Sequence, residues 1–150
     1  MRKTITVKWL NKINACSLGI KCFKEQGEKE PIAVLKKLVT EGKLDWTNWL
    51  IVRLMTYKQY VSYAVYAAEQ VIDIYEKKYP DDKRPREAIE AAKRCIENPS
   101  EKNKNAADAY AAAYAAAADA AASATDAAYA AAAAVKKKIV KYGIRLLEGE

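Results

Sequence analysis

The strongest constraint on the fold lies in residues 106–134, because 21 of these 29 residues are alanine. Alanine is the best helix former, since its side chain loses no rotational freedom in a helix, so the stretch is predicted to be helical. Its other residues fall on two lines about a helical wheel. We expect the acidic line to face water and the aromatic line to face the core; the alternative is an acidic surface for a cation or a basic partner. The acidic line holds Asp108, Asp119 and Asp126, and the aromatic line holds Tyr110, Tyr114, Thr125 and Tyr129.

Length indicates that the alanine-rich region folds back on itself. Residues 101–147 contain no proline, and Gly143 is their only glycine. One helix over this range would be about 70 Å long, whereas a compact domain of this size has a radius of gyration near 15 Å. Good capping residues occur only at 123–126, which predicts an antiparallel helix pair broken there; a single long helix is the alternative. The alanine-tyrosine face would also suit packing between copies, so a homo-oligomer is a further hypothesis.

The whole chain of 150 residues is predicted to be one all-α domain, a compact multi-helix bundle of about seven or eight helices. It contains only five glycines and four prolines, which suits helices joined by short turns. Gly27 and Gly42 are predicted to end two of the helices. Helix starts are predicted from capping residues at Thr4 or Thr6, Asn14, Asp45 and Thr56 (with Gln59 in a capping box), and from Pro31 in a first turn.

A long helix is predicted over residues 57–78, with a continuous apolar face. Tyrosines recur on it every three residues, at positions 57, 60, 63 and 66. A three-residue step advances 300° and not a full turn, so these side chains drift around the helix and some must leave the core. We single out Tyr60, Tyr63 and Tyr66 as candidate binding residues, with Tyr66 the best candidate for an exposed contact; ordinary surface tyrosines are the alternative.

The segment YPDDKRPRE, which follows this helix, is the most punctuated part of the chain. Lys83, Arg84 and Arg86 crowd a turn beside Asp81 and Asp82. Arginines at a helix start oppose the helix dipole unless they are paired. Pairing with the aspartates or with helix carbonyls is one interpretation, and a clamp for phosphate or for a partner's carboxylate is the other.

Two further features leave alternatives open. Trp46 and Trp49 lie three apart on a short helix, which favours a core position over an exposed hot spot. The net charge is +7, with 11 basic and 5 acidic residues among the first 55. Because these lysines are spread out, ordinary solvation is favoured over nucleic-acid binding, which remains weakly supported.

The composition argues against catalysis and against a metal or other cofactor. The chain has no histidine and three cysteines without a CxxC motif, so zinc sites and histidine-based catalytic groups are not expected. It has no glycine-rich phosphate loop. We therefore expect a non-enzyme. Free cysteines and the lack of an apolar leader or membrane span predict a cytoplasmic protein.

Two segments resemble a known family. They are residues 44–56, LDWTNWLIVRLMT, and residues 63–95, whose most distinctive part is AAEQVIDIYEKKYPDDKRPREAIEAA. They are similar to the immunity-protein domain of the type-five, polymorphic-toxin class, whose members are often encoded by phages or prophages. The resemblance extends over roughly residues 5–147 and implies an all-helical fold that neutralises a toxin or defence component by binding it. It carries over no active-site residue.

The sequence therefore predicts a non-catalytic binding or inhibitor protein of bacterial mobile-element or phage origin, acting against a toxin or a host defence protein. The alternative is a small-ligand binder that sequesters an anionic nucleotide or immune signal between the tyrosines and the arginine turn. A strongly acidic surface that would mimic nucleic acid is missing, which argues against a nuclease target.

Overall fold

A computed structural model describes residues 4–98 and 126–149 of the chain. In these two ranges all regular structure is helical, with eight helices and no strand, which confirms the all-α prediction. The predicted break at 123–126 and the first member of the alanine-rich helix pair lie outside the described residues. The helices are α1 (Val7–Lys12), α2 (Ser17–Gln26), α3 (Pro31–Thr40), α4 (Leu44–Leu54), α5 (Tyr57–Glu69), α6 (Ile72–Lys78), α7 (Arg84–Glu97) and α8 (Asp126–Glu148).

The chain divides into two compact units. The first consists of Met1–Met55 together with Val140–Glu150, and the second of Thr56–Ile139. The prediction of a single domain over residues 1–150 stays a prediction.

Most of the predicted helix ends in the first unit are confirmed. Thr6 caps α1 by accepting a hydrogen bond from the N–H of Trp9, and Pro31 is the first residue of α3. Gly27 ends α2 at φ 76°, a left-handed conformation that glycine adopts without a side-chain clash.

Two predicted caps were wrong. Asn14 does not cap α2, because its φ of 57° is left-handed, whereas a cap needs extended backbone; Cys16 takes that position, and its Sγ accepts the N–H of Gly19 at 3.3 Å. Asp45 lies inside the first turn of α4, because that helix starts at Leu44 after Lys43. There its carboxylate still interacts favourably with the helix dipole.

The first unit is built on the packing of α3 against α4 and of α1 against α2. Buried apolar side chains come from α1, α3, α4 and the end of α8, whereas α2 has no buried residue. An ion pair of 2.6 Å joins Lys36 to Glu148 at the end of α8. On α8, Ile139, Val140, Ile144 and Leu147 are buried, whereas Tyr142 and Leu146 are half-buried. Buried apolar residues of this unit are Ile5, Leu10, Val34, Leu35, Leu38, Leu50, Ile51, Leu54, Val140, Ile144 and Leu147.

The long helix predicted over residues 57–78 is in fact two helices. Its start is as predicted: Thr56 and Gln59 form a reciprocal capping box. The backbone N–H of Gln70 donates to the carbonyl of Ala67 and not to that of Tyr66, its partner in a continuous α-helix. The Tyr66 carbonyl accepts the side-chain amide of Gln70. Val71 then leaves the helical region at φ −128°. The chain therefore changes direction before α6.

The core of the second unit lies where α5 packs against α7. Ile72 from α6 joins it, so the short helix is anchored by a buried side chain. Alanines at the contact let the two helices approach closely. The cluster consists of Val61, Val65, Ala68, Ile72, Ile89 and Ala92, with Ala88 and Ile96 packed against it.

Replacing Ile89 with alanine tests this core. Ile89 is 1% exposed and Ile74 is 66% exposed, so the pair offers a matched comparison. Ile89→Ala is expected to lower the free energy of unfolding in urea by about 2–5 kcal/mol, through lost burial and a residual cavity. Ile74→Ala should change it by no more than about 0.5 kcal/mol. Equal losses for the two variants would contradict the assignment.

Candidate partner-binding surface

Asp82 organises the turn between α6 and α7. Its carboxylate accepts two hydrogen bonds from the guanidinium of Arg84, from Nε at 2.8 Å and from Nη2 at 2.7 Å. It also accepts the hydroxyl of Tyr75 at 2.8 Å and the backbone N–H of Arg84 at 3.1 Å. A fork of two parallel N–H donors on one carboxylate fixes orientation as well as distance, so the turn is held in one geometry.

A second fork ties the start of α7 back to α6. Arg86 donates from Nε to Glu76 Oε1 at 2.8 Å and from Nη2 to Oε2 at 2.6 Å, and Asp73 lies 3.7 Å from the same Nη2. Lys83 donates to the carbonyl of Pro80 at 2.8 Å. Arg84 is thus paired with an aspartate of the turn, as one interpretation predicted, whereas Arg86 pairs with Glu76 of α6 and, in the described part of the chain, not with Asp81, Asp82 or a helix carbonyl.

The ion pairs favour the charged forms of Asp82 and Glu76. The Arg84 guanidinium, followed by the Tyr75 hydroxyl, holds the pKa of Asp82 well below its usual range. The hydrogen bonds from Arg86 lower the pKa of Glu76. Donation to Asp82 raises the pKa of Tyr75, so that phenol stays protonated.

The structure brings Lys83, Arg84 and Arg86 together in one turn, as predicted, but the two arginine forks are occupied by the chain's own carboxylates. An anionic ligand would have to displace Asp82 or Glu76 to obtain the same geometry. The Arg84 side chain is nevertheless 86% exposed, so it can contact a partner while it remains paired.

Two large apolar side chains of the same segment are exposed, one on α6 and one directly after it. Ile74 is 66% exposed and Tyr79 is 45% exposed. The ring of Tyr79 lies 4.9 Å from that of Tyr75, which is itself bound to Asp82. We name the surface formed by Ile74, Tyr79, Lys83, Arg84 and Arg86 the α6–α7 surface. Sequence reasoning missed Ile74 and Tyr79, although Ile74 lies 200° from buried Ile72 on a helical wheel, a signal that it leaves the core.

The tyrosines of α5 divide between surface and core. Tyr60 is 41% exposed and Tyr57 45%, whereas Tyr66 is half-buried. Tyr63, a candidate binding residue, is buried, since it is only 4% exposed. The reason is that α5 is buried on more than one side: Tyr63 and Ala67, one turn apart, lie across the helix from the apolar face that packs on α7.

Neither a metal site nor a membrane span was found in the part of the chain that is described. Its Cys, Asp and Glu side chains do not gather into a group that could hold a metal ion. Its helices are all too short or too polar to cross a bilayer.

The pH dependence of stability tests the Asp82 network. Because the folded state depresses the pKa of Asp82, its contribution to stability is present above about pH 4, the ordinary pKa of aspartate, and is lost as pH falls toward the lower folded-state value. Wild type should therefore melt at a higher temperature than Asp82→Asn at pH 7, and the difference should shrink below pH 4.

Asp81→Asn is the matched control, since Asp81 is exposed and forms no ion pair with the residues that the structure describes. It should leave the melting temperature nearly unchanged at both pH values. A difference between wild type and Asp82→Asn that is the same at pH 3 and pH 7 would contradict the account.

Comparison with known proteins gives one family. The family described as "Imm-5 like putative immunity protein" matches residues 51–139, which span the last turn of α4 and all of the second unit, including the α6–α7 surface. No curated protein and no solved structure matches the chain significantly. Since the match covers more than half of the 150 residues, the chain belongs to the Imm-5 like immunity protein family.

Proposed function

We propose that this protein is a non-catalytic immunity protein that binds a toxin directly and neutralises it by covering a functional surface. Family membership is the observation that carries the proposal. The fold supports it, because the matched segment presents exposed apolar side chains on a turn held rigid by ion pairs. A surface that is already ordered loses little entropy on binding.

The α6–α7 surface has the composition of a binding hot spot. Tyr79 offers a large rigid ring, Ile74 a fully apolar side chain, and Arg84 a planar cation. Tyrosine and arginine are enriched where truncation costs most binding energy, and polar neighbours exclude water around them. We assign Ile74 and Tyr79 the central contacts, and Lys83, Arg84 and Arg86 the rim.

Tyr57 and Tyr60 form a second exposed patch, at the N-terminal end of α5. They lie three residues apart, so they share one side of the helix. We propose that Tyr60 contacts the partner there, with Tyr66 further along the helix at its edge. Tyr63 supports α5 from its buried side and makes no contact with the partner.

The charge balance of residues 56–100 favours an apolar contact over an electrostatic one. They carry eight basic and eight acidic side chains, and Arg84 and Arg86 are paired with Asp82 and Glu76. A partner that docks here gains little from charge steering, so its affinity should depend weakly on salt. Nucleic-acid binding, by contrast, weakens by orders of magnitude between 50 and 200 mM salt.

The proposed setting is the bacterial cytoplasm, with the gene carried by a phage or another mobile element and the target a toxin or host defence protein. The free thiols of Cys16 and Cys22 suit a reducing compartment. The alternative, sequestration of an anionic nucleotide, has less support, because Asp82 and Glu76 already occupy the arginine forks and Tyr63 is buried.

Alanine variants test the proposed contacts. With toxins encoded by neighbouring genes as candidate partners, the wild-type protein should restore growth of cells that express its target. For the complex that forms, Tyr79→Ala and Ile74→Ala should each raise Kd at least tenfold, which corresponds to about 1.4 kcal/mol. The measurement is biolayer interferometry with purified proteins.

Leu18→Ala is the matched control, because Leu18 is an equally exposed apolar residue, at 67%, outside the family segment. Its Kd should stay within twofold of wild type. The assignment to the α6–α7 surface fails if Leu18→Ala weakens binding and the two other variants do not.

A further inference from the structure

An apolar cavity lies within the first unit, among the helices α1 to α4. Its volume is about 380 Å³, and its walls are formed mainly by apolar and aromatic side chains. Trp46 and Trp49, predicted to be core residues, are half-buried and line it from α4. Facing them are Leu10 of α1, Phe23 of α2 and Leu38 of α3.

This cavity opens to solvent, because Asn14, Cys16 and Asp45 of its wall are exposed. Pockets for small ligands begin at about 300 Å³, and they combine apolar walls with a few polar groups. The size and the lining therefore indicate a ligand site.

The charged groups at the cavity favour an uncharged ligand. Lys43 approaches from one side, with Nζ 3.1 Å from Cys22 Sγ and 5.3 Å from the centre of the Trp46 ring, but it is paired with Glu41 at 2.7 Å. The carboxylate of Asp45 belongs to the lining itself. An anionic ligand would meet Asp45, and a cationic one would meet Lys43, so neither charge is favoured.

Arg53 adds no free anion site, because it stacks on the lining tryptophan. Its Cζ lies 3.8 Å from the centre of the Trp49 ring, and its Nη1 donates to the Trp49 carbonyl at 2.8 Å. A cation over an aromatic face stabilises the ring position. The other polar side chains of the lining are the amides of Asn14 and Gln26 and the sulfur groups of Cys16 and Cys22.

We propose that this cavity binds a small, uncharged, mostly apolar molecule that contains an aromatic ring and one hydrogen-bonding group. The two tryptophans and Phe23 provide aromatic contacts for the ring, and the Asn14 or Gln26 amide takes the polar group. The lining belongs wholly to the first unit, and the inference does not rest on toxin binding. The residues that line this site lie between positions 5 and 50, outside the family match at 51–139.

Calorimetry with a neutral and a charged ring compound tests the proposal on the full chain. The neutral probe 2-naphthol should bind wild type saturably with one site. Its anionic counterpart 2-naphthoate has the same ring system and should bind at least tenfold more weakly. Absence of saturable heat with 2-naphthol up to its solubility limit, or equal affinity for the two compounds, would overturn the proposal.

A cavity-filling variant locates the binding. Ala15 lines the cavity, so Ala15→Leu should weaken 2-naphthol binding at least tenfold. Ala133→Leu makes the same change at an exposed position of α8 and should have no effect. Binding that survives Ala15→Leu unchanged in a folded protein would overturn the site.

A readout on the wild-type protein covers the case in which Ala15→Leu does not fold. Cys22 Sγ belongs to the cavity wall, so 2-naphthol at saturation should slow its alkylation by iodoacetamide at least tenfold, measured by mass spectrometry. An unchanged rate would overturn the proposal. A second outcome would also overturn it: wild type sediments as a dimer, Ala15→Leu sediments as a monomer, and neither binds 2-naphthol. In that case the cavity would hold a side chain of a second copy.

Discussion

The contact between α5 and α7 is the interaction on which the second unit depends. Ile89 and Ala92 of α7 pack against Val61, Val65 and Ala68 of α5, and the small alanines let the helices approach closely. The two helices are separated in sequence by α6 and its turn. Because α5 and α7 are in contact, α6 and the turn after it must connect the end of α5 to the start of α7 over a short distance. The α5–α7 contact therefore restricts the conformation of this connection.

The ion pairs of the turn add the second constraint. Ile72 anchors α6 in the core, while the forks of Arg84 on Asp82 and of Arg86 on Glu76 fix the turn and the start of α7. Such exposed pairs contribute little to stability individually, but together they hold the turn and the start of α7 in one geometry. Their main consequence is therefore an ordered turn, with a small contribution to the stability of the fold.

Local signals in the sequence predicted the helices well. The presence of helices, the Thr56–Gln59 capping box and the end of α2 at Gly27 depend on residues close in sequence. Helix propensity and capping rules therefore predicted them correctly. The break at Gln70 could not be predicted, because no proline or glycine marks it and it arises from an amide side chain that replaces a backbone donor. Burial of Tyr63 was missed since it depends on what packs against the far side of α5, which no local pattern reports.

The candidate site was predicted only in part. The charge pattern located the turn of Lys83, Arg84 and Arg86 and its pairing with an aspartate, but the Glu76 partner of Arg86 is set by the approach of α6 to α7. The cavity between α1 and α4 could not be foreseen, because a void depends on how helices fit together and not on which residues line it. Trp46 and Trp49 were predicted to be core residues, whereas they are half-buried and line this cavity.

The central claim is that the α6–α7 surface is the contact for a toxin. Hydrogen–deuterium exchange of the protein with and without its bound toxin tests this most directly, since it reports on every segment at once. We predict slowed exchange in residues 72–86, with residues 17–26 of α2 unchanged. Slowed exchange confined to residues outside 51–139, with no change over 72–86, would contradict the claim.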